Sequence, residues 1–101
     1  SRLPKLGRAI RDWLNELKRT LASLLARLKA EGYIESDTPA LGQLVEQITL
    51  TLLFSLDYQR ILGRQRETGM VVFQVMMLVI PHLQKRSRPL AEQLARGYLQ
   101  D

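Results

Sequence analysis

From Leu6 to Leu28 the apolar positions recur mostly in steps of three and four: Leu6, Ile10, Trp13, Leu14, Leu17, Leu21, Leu24, Leu25 and Leu28. That spacing is one face of a helix with a 3.6-residue period. Lys5, Arg8, Asp12, Lys18, Arg19, Arg27 and Lys29 fall mostly off it. Leu3-Pro4 marks the expected start. Gly32 marks the expected stop, because glycine tolerates the left-handed conformation wanted just past a helix end. Tyr33 and Ile34 follow, placed to fold back on the last turn.

Ser36-Asp37-Thr38-Pro39 is the next signal. Thr38 is the expected N-cap, with Pro39 at the first helical position, where a missing N–H costs nothing. A long helix is predicted over 39–62. Its first half is amphipathic, with Leu41, Leu44, Val45 and Ile48 on one face. Its second half is apolar on most sides (Leu50, Leu52, Leu53, Phe54, Leu56), relieved only by Thr49, Thr51 and Ser55. Such a helix is expected to be covered on two sides. The charged stretch 63–69, bounded by Gly63 and Gly69, is the clearest break. Met70 to Ile80 follows as an apolar run interrupted by Gln74. Its β-branched content competes for a buried strand. Its length and the lack of any partner strand favour a helix over about 68–83, with Pro81 ending or kinking it. After a polar break at 84–87, Pro89 opens a last short helix with Leu90, Leu94, Ala95, Tyr98 and Leu99 on one face.

The pattern predicts an all-α chain: an antiparallel bundle of about four helices joined by short loops. It forms one domain over 1–101. Helices two and three are apolar on more sides than so small a bundle can cover. A surplus of that kind marks a partner surface, and a second copy is the commonest partner. Leu52, Leu56, Phe73, Met76, Met77 and Ile80 are the candidates for that seam. The run 70–80 is too short for a membrane span, which needs about 20 residues.

Composition changes the picture in two ways. There is no cysteine, so disulfides, thiolate zinc sites and cysteine nucleophiles are excluded; this fits a reducing compartment such as a bacterial cytoplasm. The formal net charge is +5, unevenly placed: +5 over 1–32, −3 over 33–63 and +3 over 64–101. A basic first helix invites a nucleic-acid reading. Its charges spread around the helix and pair in part (Glu16 with Lys18 and Arg19), as a solvated face does. The opening Ser-Arg-Leu-Pro has neither an initiator Met nor a leader pattern, and reads as part of something longer.

The sequence offers no catalytic, metal or cofactor motif. His82, the single histidine, follows Pro81 at a helix end with no carboxylate beside it, and is expected to be structural or solvent-facing. Gly63 and Gly69 flank a turn without the Lys-Ser/Thr of a phosphate loop. No serine sits in a nucleophile elbow. Asp57 and Tyr58 stand out inside an apolar helix, either as ligand contacts or as a buried hydrogen-bonded pair. The expectation is therefore a non-enzyme without cofactors.

The stretch Leu28-Lys29-Ala30-Glu31-Gly32-Tyr33-Ile34, then Asp37-Thr38-Pro39-Ala40-Leu41, resembles a junction common in TetR/AcrR-type regulators. Val79-Ile80-Pro81-His82-Leu83, Arg88-Pro89-Leu90 and Tyr98-Leu99 are similar to the subgroup described as bacterial transcriptional repressors. That subgroup carries tryptophan near the middle of the second helix, where this chain has Leu53, Phe54 and Tyr58. The resemblance implies a C-terminal effector-binding and dimerisation domain, a helix-turn-helix DNA-binding domain preceding residue 1, and a cytoplasmic location away from membranes. It implies a homodimer in which 39–62 and 68–83 form a four-helix bundle with their mates. It also implies a small-molecule effector, with Trp13, Leu17, Phe54 and Tyr58 as candidates for the pocket wall. A stand-alone helical dimerisation or adaptor module without an effector is the alternative, and direct nucleic-acid binding through the first helix a third reading.

Overall fold

The computed structural model describes residues 2–63 and 67–100. Four α-helices account for most of them: α1 (Arg2–Ala30), α2 (Thr38–Leu62), α3 (Thr68–Val79) and α4 (Arg88–Gly97). Two 3₁₀ turns, Ile80–His82 and Lys85–Ser87, lie between α3 and α4. Residues 64–66 of the expected charged turn lie outside the described residues.

Local sequence explains each boundary. α1 ends in a Schellman motif. The Tyr33 N–H donates to the Leu28 carbonyl at 2.9 Å and the Gly32 N–H to that of Lys29 at 3.0 Å, with Gly32 at φ +88°. The α2 cap corrects the sequence expectation. Asp37 is the N-cap, and its Oδ1 accepts from the Ala40 N–H at 2.9 Å. Thr38 is already helical and Pro39 sits second. A carboxylate one residue upstream outcompetes the threonine because it reaches the same free N–H groups and carries a charge favoured at a helix N-terminus. The run from Met70 is helical, and the α-helix stops at Val79, two residues before Pro81, passing into the 3₁₀ turn that the ring permits.

α2 lies between α1 and α3, and α4 packs on α3. Leu25 of α1 and Leu41, Leu44, Val45 and Ile48 of α2 form the core with Ile34; Val75, Leu78 and Val79 of α3 close it. Leu44 is the one large side chain, among those described, that is completely buried. Thr49, buried on the same helix, returns its hydroxyl to the Val45 carbonyl at 2.8 Å, so it enters the core without an unmet donor.

The two helical hairpins are strapped together at one end. Ile34 and Leu83 form an isolated antiparallel bridge. The Glu35 N–H donates to the His82 carbonyl at 3.0 Å and the Gln84 N–H to that of Tyr33 at 2.9 Å. Ser36 Oγ and His82 Nδ1 are 2.7 Å apart, which gives the single histidine a structural role. Arg88 donates to the carbonyls of Leu83 and Pro81 at 3.0 and 3.1 Å.

The other end splays. Leu6, Ile10 and Trp13 of α1 are about half exposed, and Ile61 of α2 is 70% exposed. The described residues extend over 52 × 33 × 15 Å. The shortest dimension is little more than one helix diameter of about 10–12 Å. The helices form a thin layer, so several of them present an uncovered side.

Two substitutions test these contacts. Asp37→Ala should lower stability by about 1 kcal/mol and Thr38→Ala by much less, in urea unfolding followed by circular dichroism. At Gly69 an added methyl would overlap the Tyr98 carbonyl oxygen. Alanine normally stabilises a helix over glycine by up to about 1 kcal/mol. Here the clash, at about 1–3 kcal/mol, should win, and Gly69→Ala should unfold at lower urea concentration.

Candidate functional site

A groove of about 580 Å³ lies on the outer side of α2 and α3. Its origin lies in helix phase. At 3.6 residues per turn, Leu41, Leu44, Ile48 and Leu52 fall on one side of α2, and Leu50, Phe54 and Ile61 on the other. The first set enters the core. The second faces outward, with Leu50 63% and Phe54 61% exposed. On α3, Val75 and Val79 turn inward, Phe73, Gln74 and Met77 lie on the groove side, and Leu78 both packs on the core and lines the groove. The Phe54 and Tyr58 rings pack at 6.1 Å between centroids, tilted by 56°.

The groove is apolar. Its polar lining comes from neutral residues, Thr51, Tyr58 and Gln74, and the Thr51 hydroxyl is turned back to the Gln47 carbonyl at 2.9 Å. Asp57 is exposed and ion-paired with Arg60 at 3.0 Å, so it is not half of a buried pair with Tyr58. Glu16 pairs with Arg19 at 2.6 Å, while Lys18 reaches across to Glu46 on α2 at 2.9 Å. Among the described residues no group of His, Asp and Glu is arranged to hold a metal ion, and no helix is long and apolar enough to cross a membrane. The groove offers shape and apolar area, and no carboxylate, histidine or cation lines it.

This placement redistributes the sequence candidates. Phe54 and Tyr58, expected in a pocket wall with Trp13 and Leu17, instead share a groove with Phe73 and Met77, expected in a seam. Trp13 is 55% exposed on α1 and Leu17 is half-buried; neither lines that groove. Ile80 is corrected outright. It is 5% exposed and already belongs to the protein's own interior: its N–H still bonds the Met76 carbonyl in helical phase, and α4 packs against the turn that it opens. Leu52 also packs against the core. Leu56 is exposed, but on a different side of α2 from Phe54. Met76 is half-buried and is not part of the groove lining. Leu50 was missed. Its signal was the four-residue spacing to Phe54, hidden in a helix segment that is apolar all round.

Comparison with known proteins bears on what such a surface is for. No curated protein and no solved structure matches the chain. The family model described as TetR, bacterial transcriptional repressor, matches residues 1–90, which takes in α1, α2, α3 and the strap. The chain therefore belongs to the TetR family of bacterial transcriptional repressors.

Proposed function

We propose that residues 1–101 are the regulatory domain of a repressor, which joins two copies through the outer face of α2 and α3 and responds to a small-molecule effector. The observation that carries the first part is the uncovered apolar face itself. Leu50, Phe54, Phe73 and Met77 sit together on one side of the layer with no charged side chain lining the groove between them. Burying a large apolar side chain stabilises by about 1.5–3 kcal/mol. Four on each of two copies, partly buried already, contribute on the order of 10 kcal/mol, comparable to the cost of association. A two-fold axis through the groove makes the patch its own complement and sets α2 and α3 against their mates as a four-helix bundle.

The effector part is supported by family membership. On this reading DNA is contacted by a separate helix-turn-helix segment, in the cytoplasm. An effector that binds one arrangement of the dimer better than another shifts the spacing of the two reading heads. Since paired recognition helices must meet half-sites about one helical turn apart, a small rotation releases the operator. The alternative, a dimerisation module without an effector, is favoured by one observation: the pocket candidates do not enclose one cavity. Phe54 and Tyr58 belong with the seam, and Trp13 and Leu17 with the exposed stripe of α1.

Sedimentation equilibrium of the 101-residue chain tests the seam. The expected result is a dimer that dissociates in the double variant Phe73→Glu, Met77→Glu with helical circular dichroism retained, and that survives Trp13→Glu. A folded wild-type monomer at high concentration would overturn the reading.

A further inference from the structure

A second groove, of about 510 Å³, lies at the strapped end, away from the α2–α3 face. Leu28 and Tyr33 at the end of α1 form one wall, Leu90, Ala91 and Leu94 of α4 the other, and Leu83 of the strap contributes between them. Leu90 is 63% and Leu94 57% exposed, so α4 holds out two leucines beside this concavity. Part of the α4 wall, Ala91 and Leu94, lies beyond residue 90, where the family match ends.

The charge at the rim says what fits. Arg86 lines the groove. Its Nε donates to Gln84 Oε1 at 3.2 Å, which steadies the side chain while leaving its terminal nitrogens for another acceptor. Among the described residues no carboxylate forms an ion pair with it. Lys85 and Arg88 flank it, and the segment 84–88 has no acidic residue. A leucine-lined groove with a single guanidinium at its rim, that of Arg86, matches a molecule with an aliphatic chain and one anionic head. The chain replaces water along Leu28, Leu83, Leu90 and Leu94. The head meets a guanidinium, whose donors suit a carboxylate.

We infer that this groove binds a single-chain aliphatic carboxylate, with Arg86 on the head group and the α1 and α4 leucines on the chain. The site is independent of the dimer seam. Occupation would tie the end of α1 to α4 across the Ile34–Leu83 bridge, adding to contacts that already join the two hairpins.

The test uses decanoate, below its micelle concentration, with the 101-residue chain. Binding is followed by calorimetry and by amide shifts in two-dimensional NMR. The expected result is saturable binding, with the largest shifts at Tyr33, Leu83, Ala91 and Leu94. Arg86→Gln should weaken decanoate by about 3–10-fold, the range for one partly exposed charge contact, and leave decanol unchanged. Arg86→Glu should reverse the preference toward decyltrimethylammonium. Binding that persists in the Phe73→Glu, Met77→Glu variant separates this site from the seam, so that either can fail alone. The absence of saturable binding would overturn the inference. So would shifts confined to the α2–α3 groove, or an equal loss of decanoate and decanol in Arg86→Gln.

Discussion

The fold hangs on the middle of α2. Leu41, Leu44, Val45 and Ile48 are pinned between Leu25 of α1 and Val75, Leu78 and Val79 of α3, and Leu44 has no exposed surface at all. Apolar burial is non-directional and scales with area, so what makes this arrangement specific is the polar chemistry at its ends. Asp37 starts α2 at a defined residue, Gly32 turns α1 off at another, and the bridge between Ile34 and Leu83 fixes the two hairpins relative to one another. Without that bridge and the Ser36–His82 hydrogen bond beside it, α1–α2 and α3–α4 would meet mainly through side-chain packing, which tolerates sliding.

A core fixed at one end leaves the rest of a thin layer to deal with its apolar surplus. α2 and α3 each have one side committed to the interior, and the opposite sides carry Leu50, Phe54, Phe73 and Met77. Scattered exposed leucines are ordinary on any protein. A contiguous patch shared by two adjacent helices is not. Its composition, two aromatics with leucine and methionine and no lining charge, is that of an interface centre rather than a solvated face. The basic surface of α1 is of the other kind. Its Arg19 and Lys18 are matched by Glu16 and Glu46, and its charge is mostly that of a solvated helix.

How much of this was legible depended on whether a feature is local. The Gly32 stop and the helical state of 70–79 were readable, because each is decided within a turn or two of chain. The α2 cap was misplaced by one residue because Asp37 and Thr38 compete for the same N–H groups and only geometry decides. The phase of α2 could not be read beyond Ile48. With Leu50, Leu52, Leu53, Phe54 and Leu56 all apolar, the pattern no longer says which side is inside, and so it does not show that Phe54 and Tyr58 share one groove with Phe73 and Met77. Ile80 is expected outward from helical phase alone; it keeps that phase, but α4 folds back over the turn that it opens, a long-range contact that periodicity does not carry. The strap was invisible, since a two-residue bridge between loops has no periodicity to detect.

These placements make α3 the element on which the two proposed surfaces meet. It is only twelve residues long, and three things are attached to it. Val75, Leu78 and Val79 hold it in the core, Phe73 and Met77 line the outer groove where the seam is proposed, and its C-terminal end runs through Pro81 into Leu83 and the strap. A short helix anchored in this way moves as a body, because packed side chains resist continuous deformation. A ligand that tightens α4 against the end of α1 bears on the strap and therefore on the end of α3. A mate docked on the outer face bears on its middle. If the two favour different settings of that helix, each must alter the affinity for the other by the same factor. The sign then depends only on whether the strap with its groove filled holds Phe73 and Met77 nearer to, or farther from, the position that the seam requires.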